Sequence, residues 1–414
     1  PRLFSVTAKV PDAVNLDDFG KVEVPNTALN NAAVLAQSGA DLQIKNLVAD
    51  VYTSAKGPSE AGNFFGLGSA IHVDGGDVKT PASNTRNQGT AYLKLTTPQV
   101  LGTVNSIYSL ASGVLEISGG DIFSCSSGGH GPYVSTGGQI LINTAATGLI
   151  ASDGSFNVDT ATLTAAARPS LSLGAMKRGD SGMRGAFQTH TADVTVIVTG
   201  DEAGTTLATD TGGGVIVANR VVAKAYGLRS GAVYSIGSNE SWVYVYNASL
   251  SSALDAGLVS AAGGYIRAYN SDIYGVMGIK TRAGGSASAK ETGIHVLNSR
   301  VSAYYDAEEM KRVYDVADPA DWDDSMANTN TASDQLNIFL DKANTPRFQE
   351  ESLKWWFKDK SLTPGYSGGN KFAVIYVENS ATPIHITKTR LVNKNYQEYG
   401  TLSAAAIAEG QSPA

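Results

Sequence analysis

A parallel β-solenoid is the fold class this sequence predicts, on three observations. An asparagine recurs with an aliphatic residue three positions later, in Asn219-Arg-Val-Val222, Asn247-Ala-Ser-Leu250, Asn270-Ser-Asp-Ile273 and Asn298-Ser-Arg-Val301. The asparagines are 28, 23 and 28 residues apart. A period in the twenties made of short β-type runs is too short for a propeller blade and too strand-rich for helical repeats. Within each period apolar residues fall at every second position, as in strands with one face turned inward. Glycine is abundant, 45 in 414 residues, and only 17% of residues are charged, which suits tight corners and strands buried between neighbours.

The elements follow in chain order. Residues 1–30 read as an N-terminal cap, a strand or short helix closing the end of the rod. From residue 31 a longer pattern repeats: small residue, aliphatic, a few residues, Gly-Gly or an equivalent, alternating apolar residues, then Asn. The clearest copy runs Ala256-Gly-Leu-Val-Ser-Ala-Ala-Gly-Gly-Tyr-Ile-Arg-Ala-Tyr-Asn270. Others end at Asn46 and Asn143, and weaker ones run Ala70–Val78 and Gly148–Phe156. The glycine pair supplies the positive φ that a sharp turn between strands requires. Identical residues in successive coils then stack as ladders, asparagine among the most suitable. About three strands per coil, in roughly ten to twelve coils, fill residues 31–403. The tail, 404–414, is small and polar.

The alternation stops between Tyr304 and Asn370. Helical spacing appears there, as in Asp306–Tyr314 and Arg347–Phe357, together with three of the four tryptophans, Trp322, Trp355 and Trp356. Its aromatic content predicts a folded, helix-containing insertion packed on the rod.

The Gly-rich copies, His130-Gly131-Pro-Tyr-Val-Ser-Thr-Gly-Gly above all, resemble the repeats of right-handed parallel β-helix proteins. That superfamily holds the pectin-lyase-like enzymes and the passenger domains of autotransporter adhesins. The resemblance covers residues 30–400 at the level of fold, and fold does not by itself fix chemistry. Two pieces, Gly129-His130-Gly131 and Gly278-Ile-Lys-Thr281, are reminiscent of polygalacturonase motifs. They are 150 residues apart and lack the accompanying Asn-Thr-Asp, so His130 reads as a corner residue.

Composition narrows the partners. A formal charge of −7 and a pI near 5.3 argue against nucleic acid and anionic membrane. No apolar run reaches the roughly 18 residues of a membrane span. The single cysteine, Cys125, excludes an internal disulfide and a cysteine zinc site. No histidines stand at metal-ligand spacing, and Asp74-Gly-Gly-Asp77 reads as a turn rather than a calcium loop, so no metal or cofactor is expected. A start at Pro1 points to a processed, exported chain, extracellular or at the cell surface.

The long loops read as sharing one corner, where they would stack into a common wall. They include Lys79–Tyr92, Ala223–Gly231 and Tyr274–Gly293. His130, Lys224 and Tyr226 fall there, as do Arg229, Asp255, Lys280 and Arg282. Lys280 and Arg282, two apart, point the same way on an extended segment. Cations beside aromatics suit an acidic or ring-bearing ligand. The expected catalytic residues are Lys280, Arg282 and Asp255, and the expected substrate-binding residues are Arg229, Tyr305, Trp355 and Trp356. Two functions remain open: a cofactor-free lyase, hydrolase or isomerase acting on a saccharide or other ring-bearing molecule, and a non-catalytic adhesive rod.

Overall fold

The computed structural model describes residues 6–8, 14–17, 20–25, 27–37, 39–53, 62, 65–76, 91–126, 128–144, 193–200, 204–210, 213–227, 230–237, 241–253, 255–262, 264–275, 277–282, 293–303, 338–340, 373–377, 384–387, 389–392 and 398–399. These residues form a right-handed parallel β-helix of three sheets. Sheet A stacks Val6–Ala8, Val34–Gln37, Ile71–Asp74, Ile107–Leu110, Pro132–Val134, Leu207–Thr209, Val233–Ile236, Ala256–Ala261, Met277–Arg282 and Ala373–Val377. Sheet B stacks Val14–Leu16, Asp41–Lys45, Tyr92–Thr96, Val114–Ser118, Gly138–Ile142, Gly214–Asn219, Ser241–Tyr246, Tyr265–Tyr269, Gly293–Leu297 and Ile384–Thr387. Sheet C stacks Gly20–Val24, Leu47–Val51, Gln99–Gly102, Gly120–Ser124, Val194–Val198, Val221–Ala225, Ser249–Ser252, Asp272–Gly275, Arg300–Ala303 and Arg390–Val392. The chain visits A, B and C in turn, so the ten strands of sheet B count ten coils among the described residues. Residues 6–24 already supply one strand to each sheet, and so form the first coil.

Parallel register is what the alternation dictates, because a one-residue slip would turn every apolar side chain outward. In sheet B, Leu42, Leu93, Leu115, Ile140, Ile216, Val243, Ile266, Ile294 and Ile384 lie one above another. All nine are fully buried, each contributing on the order of 1.5–3 kcal/mol. Sheets A and C close the same core with columns such as Leu207, Val233, Leu258 and Ile279.

Two corners show why the repeat needs its marker residues. Between sheets B and C one residue adopts positive φ in the second to ninth coils. Asn46, Asn143, Asn247, Asn270 and Asn298 take φ of 53°, 50°, 53°, 45° and 49°. Asparagine tolerates this left-handed conformation better than other non-glycine residues. The amides then bond along the stack: Asn270 Nδ2 donates to Asn247 Oδ1 at 2.7 Å, and Asn247 Nδ2 to Asn219 Oδ1 at 3.1 Å. Asn219 itself donates to the Asn143 carbonyl at 3.3 Å. The expected ladder therefore forms, with one correction. The strand Gly214–Asn219 runs one residue longer, Asn219 pairs with Tyr246, and Arg220 takes the left-handed corner at φ 56°. Val222 accordingly pairs with Ser249 and faces outward, and Ala223 is the inward partner of Leu250.

Between sheets A and B the glycine pair divides its work. Gly137 supplies φ +77°, while a Cβ on Gly138 would lie 2.3 Å from the Ser109 carbonyl oxygen of the coil below.

The long connections do not share one corner, contrary to the sequence expectation. The connections at 75–91 and 283–292 run from sheet A to sheet B, whereas those around His130 and Arg229 run from C to A. The weaker copy at Gly148–Phe156 lies outside the described residues. The 145–192 segment joins Gly138–Ile142 to Val194–Val198 within one coil, whose flanking strands pair directly with the coils above and below. Of the expected insertion at 304–370, Ile338–Leu340 is a strand on the edge of sheet A beside Ala373–Val377, and the remainder lies outside the described residues. The tail at 404–414 lies outside them too.

Candidate functional site

Outward positions on sheet A gather the polar chemistry. Register places His72, Tyr108, Tyr133, Ala208, Tyr234, Val259 and Lys280 in one outward column from coil 3 to coil 9. The lower part is a packed aromatic stack. Tyr108 and Tyr133 lie nearly parallel, 13° apart with centroids at 5.4 Å, and His72 meets Tyr108 edge-on at 5.7 Å. Both tyrosines are buried, and burial pushes their hydroxyls above the usual phenol range. Asp210, itself buried, is hydrogen-bonded by the Tyr133 hydroxyl and pushes it further in the same direction.

The upper part of the column is where charge reaches solvent. Met277–Arg282 is a regular strand, so Ile279 and Thr281 point into the core and Lys280 and Arg282 point out, as their spacing of two requires. They are therefore strand residues rather than corner-loop residues, pinned by pairing with Val259 and Ala261. Lys280 Nζ lies 3.1 Å from Oδ1 of Asp255, which sits at the C-to-A corner just before the strand Ala256–Ala261. That pair is largely screened from water, with side-chain exposures of 14% and 8%. Arg282 is exposed and hydrogen-bonded to the hydroxyl of Tyr234. Burial raises the Tyr234 pKa, Arg282 opposes that rise, and Asp210 and Asp255 reinforce it. Tyr234 thus keeps its proton at neutral pH, beside one guanidinium and two carboxylates.

Of the three expected catalytic residues, Asp255 and Arg282 both act on the Tyr234 phenol, and Lys280 joins them through its ion pair with Asp255. Arg229, Tyr305, Trp355 and Trp356 lie outside the described residues. Sequence reasoning missed Tyr133, Asp210 and Tyr234. Tyr133 and Tyr234 share one outward strand position and Asp210 directly follows its strand, a pattern legible only once the coils are aligned on the corners and not on the asparagine letters.

His130 is a corner residue, as expected. Its Nδ1 sits 2.7 Å from Thr205 Oγ1 and accepts from the Thr205 amide at 3.1 Å, while its ring packs on Tyr133 at 4.7 Å. Burial lowers its pKa to about 4, so it is neutral and structural. Lys224 lies over the Tyr226 ring at 4.5 Å, away from the sheet A cluster on the outer face of sheet C. Cys125 is half-buried, and burial raises its thiol to about 11, so it is no nucleophile at neutral pH.

Among the described residues no three of His, Cys, Asp or Glu gather as metal ligands, and no helix is long and apolar enough to cross a membrane. Comparison of the chain with protein-family models, curated proteins and solved structures returns no match.

Proposed function

We propose that this protein is an exported, cofactor-free enzyme of acidic saccharides, working on the outer face of sheet A beside Tyr234. What carries the proposal is Arg282: it is the exposed cation of a cluster whose carboxylates, Asp210 and Asp255, are both buried. A ligand arriving at that face meets a guanidinium first, in a chain that is acidic overall. A planar guanidinium receives a carboxylate or sulfate through two parallel hydrogen bonds. The Tyr234 ring beside it offers an apolar surface to a sugar ring. Behind them, Lys280 and Asp255 form a proton-handling pair, and protonated Tyr234 is a donor to an oxygen that gains charge. A lyase, hydrolase or isomerase step on a uronic-acid-type sugar needs these parts and no cofactor. In this reading the chain stands nearer the pectin-lyase-like side of the β-helix superfamily than the adhesin side.

The second reading, a non-catalytic rod, is favoured by the mutual pairing of Lys280 and Asp255, which leaves a cluster already satisfied within itself. Incubation with polygalacturonate, alginate and neutral glucans, followed by ultraviolet absorbance and reducing ends, separates the two. Turnover of an acidic polymer is expected, abolished by Asp255→Asn and weakened at KM by Arg282→Gln, the latter with an unchanged thermal midpoint. Intact polymers throughout, or turnover confined to neutral glucans, would favour the rod or another site.

A further inference from the structure

Sheet B carries a second concentration of rings on its outer face, one face round from the site above. Alternation sends Trp242, Tyr244 and Tyr246 outward from coil 7, and Tyr265, Arg267 and Tyr269 outward from coil 8 in direct register with them. His295 of coil 9 stands over Arg267. The rings brace one another: Tyr265 lies 5.6 Å from Tyr244, 6.5 Å from Trp242 and 5.2 Å from His295. Tyr244, Tyr246 and Tyr265 are buried, whereas Trp242, Arg267, Tyr269 and His295 keep part of their surface in solvent. Arg267 is the unusual member. Among the described residues it has no hydrogen-bond or ion-pair partner, although aromatic side chains surround it on the neighbouring coils.

A guanidinium partly withdrawn from water, without a counter-ion among the described residues, in a wall of rings that hold their own positions is built for an anion carried on a flat body. We propose that this wall is a second binding site, in which Arg267 takes the carboxylate or sulfate of an acidic sugar and Trp242 and Tyr269 pack on its ring. The ligand class rests on the sheet A assignment, while the site stands on different residues and a different face. The rigid aromatic frame costs little conformational entropy on binding, and the arginine selects acidic over neutral sugars.

Titration of the full chain with tetragalacturonate, a sulfated chondroitin tetrasaccharide and maltotetraose tests this. Arg267→Gln is expected to weaken binding of an acidic probe about tenfold or more, the loss of one charge-assisted contact. Maltotetraose should be unaffected. Arg267→Lys should give an intermediate loss, since it keeps the charge without the fork, and an unsulfated chondroitin tetrasaccharide titrated beside the sulfated one identifies carboxylate or sulfate. Unchanged affinity in Arg267→Gln, with a thermal midpoint like that of the parent, would overturn the proposal, as would failure of both acidic probes to bind the parent chain. Arg282→Gln reports separately on sheet A: a null there with a loss in Arg267→Gln would retain this site and remove that one.

Discussion

Two histidines are held neutral inside the fold, and each makes stability depend on pH. Burial lowers His130 from 6.5 to about 4, and burial lowers His72 to about 4 against the opposing pull of Asp74. The unfolded chain takes up protons near pH 6.5 that the folded chain refuses until about pH 4. Stability is therefore full above about 6.5, falls through the window from 6.5 to 4, and levels off below it, by up to about 3 kcal/mol per histidine. Thermal midpoints between pH 7.5 and 4 should fall for the parent and fall less for His130→Gln. Equal pH dependence in the two would show that His130 titrates freely in the fold. Asn247 gives a second test at this scale. It is buried, and its amide bonds both Asn219 and Asn270, so Asn247→Ala should cost about 2–3 kcal/mol in urea unfolding. A loss below about 0.5 kcal/mol would mean that the ladder is incidental. The ladder was readable because the same letter recurs at nearly the same interval. The shift to Arg220 was not, because a flexible amide side chain can rejoin the stack after the backbone has slipped by one residue.

At the scale of the element, the strands were legible and their corners were not. Period-two alternation marks Met277–Arg282 as clearly as any strand, yet Lys280 and Arg282 read as loop residues because the short connection at 276 carries no turn signal of its own. Loop length likewise said nothing about which pair of sheets a loop joins, and so the A-to-B and C-to-A connections were merged into one wall. The glycine corner is the part that sequence and structure share. Gly138→Ala must force a Cβ against the Ser109 carbonyl, whereas Gly39, at φ +82°, has nothing within 4 Å of its Cβ position and carries only conformational cost. Urea unfolding should therefore show Gly39→Ala losing about 1 kcal/mol and Gly138→Ala clearly more, about 2–3 kcal/mol. Equal losses would mean that the coils are not packed as tightly as the register implies.

The described coils form a rod in which each coil touches only the next, so its architecture can be read from any few repeats. Its function cannot, because an outward column acquires meaning only from what stands beside it in the coil above. Tyr234, Asp255 and Arg282 belong to coils 7, 8 and 9, and their convergence depends on register, which no single copy of the repeat records. Fold and site were legible to different depths for that reason. The acidic-sugar assignment of sheet A is tested most directly by a crystal structure of the protein with bound digalacturonate. A carboxylate within hydrogen-bond distance of the Arg282 guanidinium, with its ring over Tyr234, is the expected result. A sugar bound elsewhere, with the Arg282–Tyr234 contact and the Lys280–Asp255 pair untouched, would contradict it.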